Sequence, residues 1–364
     1  PEIAGLSYTV GTSQTIAWTS TGTFSPVELH YDRDGNFATT ADTFPVPPLS
    51  TVVNCSPVSP AITCNGSASF TIEDKIGGAN KVRIRGTGVD SDVQWISTNP
   101  FKILGGLDVT APEAGQIWYV GETNRTITWD ANGTVTNVNI GYKTSAGASC
   151  NYTNIVANDG GHVAGANSFN WTAGVADEKS ETVYICIQDA NFPEVTNVGA
   201  APFSIRPVLA VTSPTAGQRV VVGSNNAGLV KWTRSGTKTT QVDIKYDTND
   251  GKGLDNIAGT ADDYAGTIAT LVDASTGAIG VAWNNVPDSI SNLVRIKIVD
   301  SSSQLVFGVS PATFKIVGSV TFSEPLAGTY LNVGQANTLI KWTKSGSFAN
   351  VNIWYSTDGT NFNN

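Results

Sequence analysis

Four cysteines, two histidines and two runs of aspartates are the residues of this chain whose types and spacing could do chemistry. Cys55 and Cys64 flank a Pro-rich segment, and Cys150 and Cys186 bracket two alternating apolar runs. Neither pair has the Cys-x-x-Cys spacing of a zinc site, and His30 and His162 lie far from both in sequence. Two disulfides are the expectation, each worth about 3 to 4 kcal/mol by loop entropy, and with them an oxidising compartment. The alternation of Val183, Ile185 and Ile187 puts Cys186 on the outward face of its strand. The second bridge is therefore a clamp across one sheet and not a bond between two sheets.

The aspartates read as oxygen ligands for a hard cation. Asp247, Asn249, Asp250, Asp255, Asp262 and Asp263 form the richer set, and Asp32, Asp34, Asn36 and Asp42 the poorer one, each around a Gly turn. Calcium is the candidate ion, although the closing Glu of the twelve-residue calcium loop is missing and Asx capping of turns uses the same residues. No other cofactor is implied. Sequons at Asn54, Asn65, Asn124, Asn132 and Asn151 are candidate glycosylation sites. Asn170 is a sixth but sits beside Trp171 within a strand pattern.

Catalysis has little to build on. His30 alternates with inward Val27 and Leu29 and so faces solvent, while His162 lies in a Gly-Gly-His loop with no nucleophile motif beside it. Both read as surface residues. The acids fall in turns that recur along the chain rather than in one distinctive cleft, so no enzyme is expected.

The elements that carry these residues repeat. Pro1 to Gly5, Pro112 to Gly115, Pro214 to Gly217 and Pro325 to Gly328 open four segments, with a second Gly at 11, 121, 223 and 334. Each segment then runs through a core Trp (Trp18, Trp129, Trp232, Trp342), a Gly turn (Gly22, Gly133, Gly236, Gly346) and an alternating strand ending in Tyr. The Trp residues are spaced 111, 103 and 110 positions apart, the size of one sandwich domain. Complete segments close with a Val-x-Ile strand and a Phe-x-Ile strand, and Phe70, Trp171 and Trp283 stand before them as core aromatics. The chain therefore reads as all-β tandem Greek-key sandwiches of immunoglobulin-like type. Its divisions are 1–106 (repeat one, lacking its first strand), 107–207 (repeat two), 208–318 (repeat three) and 319–364 (the first half of repeat four). Trp95, Trp118 and Trp354 are left over, and Trp354 projects outward as an interface residue if repeat four keeps register. Linkers are so short that relative domain motion is restricted.

Ser213-Pro214, Gly217, Trp232, Trp283, Val286-Pro287-Asp288 and Arg295-Ile296 together resemble the Ser/Thr-rich surface-anchored domain of the fungal Kre9/Knh1 cell-wall family and its prokaryotic counterparts. The resemblance implies an immunoglobulin-like fold and an exported, wall-associated habit, with no chemistry. Repeat one departs most, having Ile72-Glu73-Asp74 where repeat three has Val-Pro-Asp.

Composition agrees with export and structure. Thirty acidic against 21 basic residues give a net charge of -9, which disfavours nucleic acid and anionic membrane as partners. No apolar run is long enough to span a membrane. The expectation is an extracellular or cell-surface structural array that self-associates into a layer, sheath or filament, with cell-wall or surface glycans as further partners. The alternative is an adhesin stalk or a carbohydrate-binding accessory array. The chain contains no Met, repeat one lacks a first strand and repeat four lacks its closing strands. The polypeptide is therefore expected to continue on both sides, with strand donation by a neighbouring copy as the alternative.

Overall fold

The structure is a computed structural model that describes residues 4–21, 27–38, 43–45, 54–58, 61–87, 89 and 91–362, with backbone alone at 43–45, 54–58, 61, 62 and 64. Two compact units form. The first holds Pro1–Trp118, Glu122–Val175 and Ser180–Ile205, and the second Tyr119–Gly121, Ala176–Lys179 and Arg206–Asn364.

Repeat one contains β1 (Ser7–Thr9), β2 (Ser13–Thr21), β3 (Val27–Asp32), β4 (Thr43–Pro45), β5 (Asn54–Val58), β6 (Ala61–Thr71), β7 (Gly77–Gly86), β8 (Gln94–Ile96) and β9 (Phe101–Leu104). Repeat two contains β10 (Gly106–Ala111), β11 (Ile117–Tyr119), β12 (Arg125–Asn132), β13 (Asn137–Lys143), β14 (Thr153–Gly160), β15 (Gly165–Trp171), β16 (Ser180–Asp189), β17 (Thr196–Val198) and β18 (Phe203–Arg206). Repeat three contains β19 (Leu209–Ser213), β20 (Arg219–Val221), β21 (Asn226–Arg234), β22 (Gln241–Asp247), β23 (Gly266–Asp273), β24 (Val281–Trp283), β25 (Ser291–Asp300), β26 (Ser303–Val309) and β27 (Phe314–Val317). Only β28 (Ser319–Glu324) and β29 (Lys341–Ser345) follow.

The strands pair as the period-2 pattern requires. In repeat two a three-stranded sheet, β10-β12-β15, faces a sheet ordered β11-β18-β16-β13-β14, with β17 also on β16. Repeat three repeats this order as β19-β21-β24 against β20-β27-β25-β22-β23, with β26 on β25. In both repeats the chain leaves the first sheet at a cis Pro, Pro112 or Pro214, and enters the second. In repeats one and three the strand entering the second sheet runs parallel to the last strand, as β1 on β9 and β20 on β27. This exchange between two facing sheets is the immunoglobulin-like Greek key.

The core follows from alternation. Ile127, Trp129 and Ala131 on β12 and Val183, Ile185 and Ile187 on β16 all point between the sheets and are buried. Val230 and Trp232 meet Ile296, Ile298 and Phe314 likewise in repeat three.

Repeats one and four depart from the pattern. Repeat one orders β2-β6-β5 against β1-β9-β7-β3-β4, so no described strand takes the place that β10 and β19 occupy beside the Trp-bearing strand. Trp18, expected in the core, is consequently only half-buried, its indole lying over Gly66 where a Cβ would sit 2.3 Å away. Repeat four has a two-stranded sheet alone, and Trp342, also expected in the core, is 37% exposed. Residues 351–355, read as an alternating strand, form no strand here, and Ile353 and Tyr355 are exposed together with Trp354. Trp118, unexplained by the repeat pattern, is a core residue at 2% exposure, packed on Phe203 with ring centroids 4.7 Å apart.

Candidate functional site

The most regular chemistry in the structure lies where one repeat's turn meets the next repeat's turn. In the first unit Asp74, in the turn after β6, accepts the Thr134 backbone N–H at 2.9 and 2.8 Å on its two oxygens, and the Thr134 hydroxyl as well. In the second unit Asp177 accepts the Thr237 N–H at 2.9 Å on both oxygens and its hydroxyl at 2.7 Å. There too Asp288 accepts the Ser347 N–H at 2.9 Å and the Ser347 hydroxyl. The three pairs are separated by 60, 60 and 59 residues.

Each donor follows a Gly in the left-handed region: Gly133 at φ +81°, Gly236 at +67° and Gly346 at +98°. A Cβ would be crowded there, lying 2.9 Å from Val10, 3.0 Å from Val120 and 3.3 Å from Val222 respectively. Those valines all stand immediately before the second Gly of a repeat opening. Asn132 Nδ2 and Ser345 Oγ add bonds of 2.8 and 2.6 Å to the carbonyls of Val10 and Val222. Burial works to raise the Asp177 carboxyl, but the Thr237 hydroxyl and amide outweigh it and hold the group below the ordinary 3.8. The Ser347 hydroxyl and amide lower Asp288 in the same way.

A second feature is a cleft of about 720 Å³ in repeat one, between β2 and the β7–β8 edge. Trp18, Phe70, Ile84, Val93 and Trp95 line it, with Gln14 and Gln94 among the polar groups. Trp95, also left over by the repeat pattern, is 43% exposed there.

The residues singled out in the sequence are dispersed. A disulfide joins Cys150 to Cys186, with Cα atoms 5.7 Å apart. It runs from the loop before β14 to β16, past β13, so it clamps one sheet. Cys186 is fully buried even on that outer face, where Tyr152 packs over Gly141. Cys55 and Cys64 are direct cross-strand partners in the β5–β6 ladder, and their side chains lie outside the described residues.

The aspartate loops close on themselves. Asp247 accepts the N–H groups of Asn249 and Gly251, and Asp262 those of Leu254 and Asp255 together with the Thr260 hydroxyl. Asp263 accepts from Gly259 N–H, Asp255 from Ile257 N–H, and Asp250 from Arg295. In repeat one Asp32 accepts from Asp34 and Asn36, and Asp34 from Asn36, while Asp42 lies outside the described residues. Among the described residues no three His, Cys, Asp or Glu side chains gather as a metal would require.

Of the sequons, Asn65, Asn124, Asn132 and Asn151 are exposed, and Asn132 donates its amide nitrogen to the Val10 carbonyl. The side chain of Asn54 lies outside the described residues. His162, expected at the surface, is buried: its ring meets Trp129 edge-on at 4.8 Å and its Nε2 is 2.9 Å from Asp159. His30 is half-buried, and burial followed by the Arg83 charge lowers its pKa. Trp354 is 56% exposed.

No protein-family model matches the chain, and no curated protein matches it. Solved structures of tandem immunoglobulin domains do. Titin domains I67–I69 in an E-to-A mutated variant share 10% identity at a TM-score of 0.29, over 86% of this chain and 95% of that one. The ICAM-5 D1–D4 ectodomain fragment shares 10% at 0.34, over 88% and 78%, and domains 3–5 of Drosophila OTK share 11% at 0.26, over 87% and 94%. Values this low carry no functional weight. Strand order and packing define the class: tandem immunoglobulin-like sandwiches.

Proposed function

We propose that this chain is a non-catalytic, exported immunoglobulin-like array that serves as a stiff structural segment of a self-associating surface layer, sheath or filament. The observation that supports this reading is the threefold recurrence of a carboxylate in one repeat's turn gripping the Gly-Thr or Gly-Ser turn of the next. A spacer needs defined angles between domains, and a bidentate carboxylate set into a Val-lined notch restricts them far more than a short linker does alone. The wall-associated habit of the Kre9/Knh1-type domain that the sequence resembles, copies of the same protein as partners, and calcium in the Asp247 to Asp263 loop belong to the same proposal.

Electron microscopy of the native cell surface tests it. Ordered arrays whose copies meet over more than about 1,000 Å² are expected. Isolated, unordered molecules would contradict the structural role. A second reading, a binding array, draws on the open aromatic cleft of repeat one, and glycan arrays test it directly.

A further inference from the structure

We propose that the outer face of the second sheet of repeat three binds an acidic polysaccharide, a uronate carboxylate resting between Lys245 and Lys297 and the sugar ring on Phe307. This goes beyond the structural role and does not depend on it. It also uses a different face from the cleft of repeat one.

One register position links three repeats. The residue before the Tyr of the alternating strand is His30 on β3, Gly141 on β13 and Lys245 on β22. Directly across the ladder stand Arg83, Cys186 and Lys297. Ile244, Ile296 and Ile298 are buried between the sheets, so alternation sets Lys245 and Lys297 on the outer face.

In repeat two this position is small and covered by the repeat's own residues. A Cβ on Gly141 would lie 2.0 Å from the Tyr152 ring, and the disulfide to Cys150 leaves Cys186 at 0% exposure. In repeats one and three the same position holds two basic residues face to face. Like charges directly opposite each other on a sheet are destabilising. Among the described residues no ion pair engages Arg83, Lys245 or Lys297, because Glu28 is taken by Arg85 at 3.1 Å and Asp250 by Arg295. Burial, then the Lys245 charge, lowers the Lys297 pKa, and Asp263 offsets only part of this. In repeat one His30 Nδ1 and Arg83 Nε are buried without a hydrogen-bond partner among the described residues.

An aromatic ring flanks each pair. Lys297 Nζ lies 4.6 Å from the Phe307 ring centroid and 5.7 Å from that of Tyr264, and Arg83 lies over Phe37 at 4.7 Å. Phe307 is still 50% exposed. A carboxylate set between two cations relieves their repulsion through charge-assisted bonds. A uronic acid carries that carboxylate on a pyranose whose apolar face fits a flat ring, whereas an acidic peptide supplies only the charge. A net charge of -9 repels a polyanion elsewhere on the chain, which confines it to these cationic faces.

The test is calorimetric titration of the full chain in about 0.15 M salt with oligomers of galacturonate, glucuronate and mannuronate. Methyl-esterified oligogalacturonate and oligoglutamate of equal length are the controls. At least one uronate is expected to saturate, with both controls at least about tenfold weaker. Lys245→Gln combined with Lys297→Gln should weaken that uronate at least about tenfold. Phe307→Ala, at a half-exposed ring, should weaken it too while leaving oligoglutamate unchanged, and it keeps the test open if the lysine variant unfolds. Four results would overturn the proposal. They are no saturation by any of the uronates, a control that binds as tightly as the acid, a folded lysine variant with undiminished affinity, and undiminished affinity in Phe307→Ala.

Discussion

The tryptophans show how much a residue's role depends on its neighbours. Trp129, Trp232 and Trp18 occupy one position in the repeat, yet the first two are buried and the third is partly exposed, β2 being paired by β6 on one edge and by no described strand on the other. Trp232→Ala removes a fully packed indole that also donates to the Ala274 carbonyl at 3.2 Å, and should cost about 3 to 5 kcal/mol in denaturant titration. Trp18→Ala leaves less of a cavity and should cost less than about 2 kcal/mol, since part of its surface already meets water. Equal costs would mean that the cleft is closed in solution. Calcium is also tested at this scale. Calcium in the Asp247 to Asp263 loop would add to the bonds its carboxylates make to turn amides and Arg295, so chelator is expected to loosen the loop and speed its cleavage by protease. Equal cleavage with and without chelator would count against a metal.

Among elements, the turn-to-turn junctions carry a pH dependence of definite sign. Asp177 and Asp288 are held below the ordinary carboxylate value of 3.8, so their contribution is complete above that value and is lost as pH falls through their lowered folded values. The Ser347 amide proton shift should therefore titrate with a midpoint below 3.8. A midpoint at or above it would mean that the bond does not persist in solution. The disulfide gives a second contrast. All four cysteines fall in the first unit, and Cys150–Cys186 ties the loop before β14 to β16. Reducing agent should lower the calorimetric transition of that unit by an amount corresponding to about 3 kcal/mol per bridge, leaving the second unit unchanged. Equal shifts in both units would argue against the bridge.

For the whole molecule, the class was legible because the period-2 alternation of Ile127, Trp129 and Ala131 against Val183, Ile185 and Ile187 fixes two facing sheets without tertiary knowledge. The Gly turns and the Val-Pro-Asp turn were equally visible, but as separate signals. Their pairing was not, because a bond between residues 60 apart depends on the angle between consecutive sandwiches, which no local pattern encodes. The constant spacing of Asp74, Asp177 and Asp288 from Thr134, Thr237 and Ser347 is the one signal that could have revealed it. His162 was misread because its burial comes from Trp129 on another strand, and Trp118 was left unassigned because its partners Phe203 and Trp171 lie on other strands far along the chain.

Within the first unit the Asp74–Thr134 junction is expected to fix the angle between repeats one and two. Pulsed electron resonance between labels on β2 and β15, which lie on either side of the Asp74–Thr134 junction in the first unit, tests it directly. A single narrow distance distribution is expected in the unsubstituted chain and a broad one in Asp74→Ala, with each repeat still folded. A broad distribution in the unsubstituted chain, or one that Asp74→Ala leaves equally narrow, would contradict it.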